Sequence, residues 1–100
     1  MFLIRNVFRL KFGKTREALA AWKDILDYSS TIGLDRGSTR VLTDLVGPYY
    51  TLILEMTVSS LAEYEEQAKR TMADEGWRTR YQAFTPLVDS GYREIFTIVR

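Results

Sequence analysis

Residues Thr39–Val58 read TRVLTDLVGPYYTLILEMTV, two alternating runs on either side of Gly47-Pro48. Alternation interrupted by glycine and proline marks an antiparallel hairpin. Setting Val46 opposite Tyr49 fixes the remaining pairs by counting. Leu45 then faces Tyr50, Thr43 faces Leu52, Val41 faces Leu54 and Thr39 faces Met56 on one strongly apolar face. Asp44–Thr51, Leu42–Ile53 and Arg40–Glu55 fill the other. A slip of one residue would turn every side chain over, placing Arg40 beside an apolar residue and leaving Glu55 without its cation. One face therefore calls for a cover of helices. The other, half polar, needs a different partner.

The flanks supply the rest of a sheet. Phe2–Phe12 alternates, with Phe2, Ile4, Phe8, Leu10, Phe12 and one amide, Asn6, on one face, and Leu3, Arg5, Val7, Arg9 and Lys11 on the other. Gly13-Lys14-Thr15 ends that run as a turn; a phosphate-binding loop would need glycine where Phe8 stands. Arg16–Thr31 carries Ala18, Leu19, Trp22, Ile25 and Leu26 at helical spacing, with Trp22 as a core residue and Gly33 as the C-terminal glycine. Gly33–Ser38 is a loop into the hairpin. After it, Ser60 and Glu63 form a capping box, and Leu61, Tyr64, Ala68 and Met72 make a buried stripe. Glu65–Lys69 and Glu66–Arg70 are solvent-side pairs. Gly76 interrupts the helix, Trp77–Phe84 resumes it, Thr85-Pro86 turns the chain, and Tyr92–Val99 is the last strand after Ser90-Gly91. The order β-α-β-β-α-β predicts an α+β domain of the ferredoxin-like kind: a four-stranded antiparallel sheet with the helices on one face. Residues 1–100 form a single domain.

Composition excludes several functions. The chain has 14 basic and 13 acidic residues, hence a net charge of +1, which gives nucleic acid or an anionic membrane no electrostatic footprint. It has no cysteine and no histidine. A disulfide framework, a thiolate metal site and the usual general base and heme ligand are therefore all missing, and neither metal nor cofactor is expected. The apolar run at residues 1–12 is broken by Arg5, Asn6 and Arg9, unlike a signal-peptide core or a membrane span. A cytoplasmic protein is expected.

In a sandwich of one sheet and one helical layer, the far sheet face stays open. Here it would carry Leu42, Ile53 and either Val7 or Leu3 among the charges Arg5, Arg9, Arg40, Asp44 and Glu55. Covering such apolar groups stabilises by several kcal/mol at about 25 cal/mol per Å², provided that the charges pair or reach water. A homodimer with two sheets face to face satisfies both conditions. A monomer with a solvated sheet face is the alternative.

Beyond the element order, the SSLAEYEE helix start, the DEGW break at Asp74–Trp77 and the PLVDSGYREIFTIV ending resemble the NIPSNAP family. That family lies within the dimeric α+β barrel superfamily, beside antibiotic-biosynthesis and heme-degrading monooxygenases. The resemblance covers nearly the whole chain and implies a dimeric barrel. The monooxygenase branch uses an asparagine on the first strand and a tryptophan near the last long helix, acting on a bound aromatic substrate without flavin or metal. Asn6 and Trp77 stand at the matching positions, and Tyr81, one turn beyond Trp77, adds a phenol. The heme-degrading branch requires a histidine that is absent.

Asn6 stands out on the residues alone, because a buried amide without partners costs about 1–3 kcal/mol. Either a neighbouring group or water satisfies it, or a ligand held between sheet and helices does, beside Trp77 and Tyr81. Two functions follow: a domain that binds a small apolar or aromatic ligand, including a cofactor-independent monooxygenase, or a non-catalytic homodimeric module. Arg40–Glu55 is read as a structural cross-strand pair. Asp44 and Glu94 are not paired as acids, for want of the fourth strand's register.

Overall fold

The computed structural model describes residues 1–34 and 38–100. The strands are β1 (Phe2–Leu10), β2 (Thr39–Thr43), β3 (Thr51–Val58) and β4 (Val88–Thr97); the helices are α1 (Thr15–Thr31), α2 (Leu61–Ala73) and α3 (Glu75–Phe84), with a single 3-10 turn at Thr85–Leu87. The sheet is antiparallel in the order β2-β3-β1-β4, the ferredoxin-like arrangement.

The hairpin forms in the register that counting gives. Thr39 pairs with Met56, Arg40 with Glu55, Val41 with Leu54, Leu42 with Ile53 and Thr43 with Leu52. Its tip differs. The ladder ends at Thr43, the Thr51 amide donates to the Asp44 carboxylate at 2.9 Å, and Tyr50 takes a positive φ of 59°. The side-chain acceptor replaces a ladder carbonyl and opens a wide loop, so that Leu45, Val46 and Tyr49 lie exposed instead of extending the apolar face.

Asp35, Arg36 and Gly37 of the expected loop lie outside the described residues. The end of α1 before them closes as a Schellman motif: Gly33, at φ 81°, donates to Ser30 at 3.4 Å, and Leu34 to Ser29 at 3.1 Å.

Two strand ends are corrected. β1 stops at Leu10, and Phe12 is 83% exposed, resting edge-on against Tyr50 at 4.6 Å. β4 begins at Val88, four residues before the expected start, and ends at Thr97. Ser90-Gly91 is therefore not a turn but part of the strand. Gly91 pairs with Phe8, and a Cβ there would sit 3.0 Å from the Val7 carbonyl and 3.3 Å from the Phe8 ring; the missing side chain leaves room for Phe8.

The core lies between the sheet and the pair α1–α3, around Leu10, Ala18, Trp22, Ile25, Leu52, Leu54 and Phe84. The second helix behaves otherwise. Half of its cap forms as read, the Glu63 amide donating to Ser60 Oγ at 3.1 Å, while the Glu63 carboxylate accepts from the amide of Ser59, one residue before the cap, at 3.0 Å. Yet none of its residues is buried, and Leu61 and Met72 are exposed. Its apolar stripe faces a cleft. Arg70 does not pair with Glu66 but donates to the Ile32 carbonyl at 2.9 Å.

On the far face, strand register lines up Arg40, Glu55, Arg5 and Glu94 in one row across all four strands. Arg5 Nε meets Glu55 at 2.9 Å, Arg5 Nη1 meets Glu94 at 3.1 Å, and Arg40 meets the other Glu55 oxygen. Glu55, only 7% exposed, is held between two guanidiniums. Asp44 lies two rows away from Glu94, so the two make no acid pair.

Candidate functional site

The helix break that shapes the cleft is set by Asp74, not by Gly76. Asp74 leaves helical geometry at φ −91°, ψ 117°, closing α2 and opening α3. Its carboxylate caps α3 by accepting from the Trp77 amide at 2.8 Å. The same Oδ1 accepts from the Tyr28 hydroxyl at 2.6 Å, which ties the junction to α1. Gly76 lies inside the first turn of α3, where a Cβ would overlap the phenol end of Tyr28. Arg80 lies over the Tyr28 ring at 4.1 Å and pairs with Asp24 at 3.4 Å.

The phenol holds the Asp74 carboxyl below its ordinary value, with the Trp77 amide adding to the effect, and the Tyr28 phenol is raised in return. A depressed carboxyl contributes stability that is full above its unfolded value of about 4 and lost as pH falls through the folded value. Urea unfolding from neutral pH down to pH 3 should therefore show a loss of stability that Asp74→Asn reduces. Identical slopes in the two proteins would show that the junction does not titrate as described.

Trp77 thus enters the site at a fixed point, and Tyr81 stacks on it one turn later, with centroids 5.1 Å apart and planes 17° apart. Trp22 of α1 meets Tyr81 edge-on at 6.1 Å and Phe84 at 5.2 Å, and Phe84 meets Phe8 at 5.0 Å. Of these rings, Phe8, Trp22, Trp77 and Tyr81 line a cleft of about 660 Å³ between the sheet and the three helices, and Phe84 is fully buried among them. α2 contributes Tyr64, Gln67, Ala68 and Met72; the strands contribute Asn6, Phe8, Leu54, Met56 and Gly91. Asn6, Trp77 and Tyr81, the three residues singled out from sequence, all line it.

The amide of Asn6 has a protein partner. Its Oδ1 accepts from Nε of Arg93, the residue beside it on β4, at 2.6 Å. Arg93 also lies over the Tyr64 ring at 5.7 Å, within cation–π range. Sequence reasoning missed Arg93, because which face it occupies depends on the β1–β4 register. Trp22, read as core, is indeed only 3% exposed, but it also lines the cleft, and its indole Nε1 has no hydrogen-bond partner. Burial holds the Tyr81 phenol above its ordinary value, with Arg93 opposing; near neutral pH it is a protonated donor.

No family model matches the chain, and no curated protein matches it. Solved structures do. A NIPSNAP family protein of unknown function from Agrobacterium tumefaciens superposes with a TM-score of 0.84 at 24% identity, covering 96% of this chain and 86% of that one. A second NIPSNAP family protein from the same organism gives 0.84 at 18%, covering 98% and 85%. The fold is a NIPSNAP-type fold. An antibiotic biosynthesis monooxygenase superposes at 0.74 with 11% identity over the full length of both chains. These neighbours agree with the resemblance read from the sequence, and at such identities they speak for the fold alone. Among the described residues, no helix is long and apolar enough to cross a membrane.

Proposed function

We propose that this chain is a homodimeric domain that binds a small apolar or aromatic ligand in the cleft between sheet and helices, with Asn6, Trp77 and Tyr81 as binding residues. The observation that carries the reading is α2: a helix with a strong apolar stripe, none of it buried, standing over a cleft walled by stacked aromatics. A ligand there would bury what the protein leaves open. The test uses N-phenyl-1-naphthylamine, a neutral probe that brightens in apolar sites. One probe per chain is expected, with affinity reduced about fivefold by Trp77→Leu, the scale of one lost aromatic contact. Absence of binding would favour the non-catalytic module whose cleft takes no ligand.

The dimer belongs to the same proposal. Leu42, Ile53 and Tyr92 on one side of the Arg40–Glu55–Arg5–Glu94 row, and Leu3 and Phe96 on the other, offer apolar surface, while the row neutralises its own charges. That removes the main cost of covering the face.

Turnover is a second reading, supported by Asn6 and Trp77 lining one cleft, as the resemblance to cofactor-free monooxygenases implies. Oxygen uptake with an electron-rich dihydroxynaphthalene, lost in Asn6→Ala, would establish it. No uptake would leave a binding domain.

A further inference from the structure

The charge in the cleft is one-sided. Among the described residues that line it there is no aspartate, glutamate or lysine, and Arg93 is the one charged side chain. No carboxylate pairs with Arg93 among the described residues. Its Nε is engaged by Asn6 Oδ1 at 2.6 Å and its plane rests near the Tyr64 ring, so the guanidinium is oriented from two sides while its terminal nitrogens remain available. Trp22 also lines the cleft, but its indole N–H, without a partner, is buried away from the open space. The terminal nitrogens of Arg93 are donors, and the fixed charge of the cleft is positive.

We propose that the ligand of this cleft is an organic anion: an aromatic or apolar body bearing one acidic group, which pairs with the terminal guanidinium nitrogens of Arg93. The inference rests on the cleft being a ligand site and goes further in naming the class. Asn6 is then a positioning residue, holding Nε so that the fork faces the acid. The apolar body lies along Trp77 and Tyr81.

A matched pair of probes separates this inference from the reading beneath it. 8-Anilinonaphthalene-1-sulfonate and N-phenyl-1-naphthylamine share one body and differ by the sulfonate. An apolar cleft without a working cation prefers the neutral probe. The quantity to measure is the ratio of their two dissociation constants, by fluorescence titration of the full chain at one probe per chain. Arg93→Gln is expected to shift that ratio about tenfold against the sulfonate, the scale of one charge-assisted hydrogen bond. Arg93→Lys, which keeps the charge but loses the fork, should shift it less, and Asn6→Ala should shift it in the same direction. These two variants carry the test if Arg93→Gln does not fold. An unchanged ratio in all three, with the neutral probe still bound, overturns the anion assignment and leaves the cleft as a ligand site. Failure of both probes to bind overturns both.

Discussion

Phe84→Ala is expected to destabilise the protein by about 3–5 kcal/mol, the range for removing a buried phenylalanine. Phe84 is fully buried and touches Phe8, Trp22 and Tyr81, with centroids 5.0, 5.2 and 5.9 Å away. It stands where the last turn of α3 meets the sheet, so that truncation leaves a void between two elements. The floor of the cleft is built from the same rings, and Trp22 and Tyr81 would relax toward the void. Ligand affinity should fall along with stability. Urea unfolding measures the first effect directly; a loss below about 1 kcal/mol would mean that α3 does not pack as described.

Gly76→Ala is the second large effect, and its sign is the informative part. Helix propensity alone favours alanine by about 1 kcal/mol at such a position. Here the added methyl meets the phenol end of Tyr28. Tyr28 must then move, and the hydrogen bond to Asp74 that fixes the start of α3 goes with it. Overpacking costs about 1–3 kcal/mol, to which the lost hydrogen bond adds about 1 kcal/mol. A net loss of about 1–3 kcal/mol is expected. In a Tyr28→Leu background the obstruction is gone, and the same substitution should become neutral or stabilising. A double-mutant cycle gives this coupling; equal losses in both backgrounds would show that the two residues are not in contact.

These two cases mark what the sequence discloses and what it withholds. The hairpin register was legible because strand parity leaves two choices, and Arg40 with Glu55 rejects one of them. The cap at Ser60 was legible because it is local. Ser90-Gly91 misleads: the pair has turn chemistry, but the glycine serves close approach to Phe8 within a strand. The stripe of α2 misleads in another way. Periodicity tells which side of a helix is apolar, not whether any neighbour reaches it. Gly76 was read as a helix breaker because its partner, Tyr28, is far away in the chain.

The site divides along the same line. Asn6 could be singled out because an amide in an apolar strand is visible in one dimension, Trp77 because the resemblance to the monooxygenases points to it, and Tyr81 because it stands one turn beyond. Arg93 could not, since only the pairing of β4 with β1 brings it beside Asn6. The orphan donor on Trp22 has no sequence signal at all. Its indole is an ordinary member of a helical apolar stripe until the surrounding acceptors are known.

Native mass spectrometry of the purified protein, alone and with N-phenyl-1-naphthylamine, tests the homodimeric ligand-binding domain most directly, since assembly and ligand are weighed together. The expected result is a particle of two chains that takes up one organic molecule per chain, either carried through purification or supplied as the probe. A particle of one chain that takes up none would contradict both the sheet-to-sheet dimer and the cleft as a ligand site.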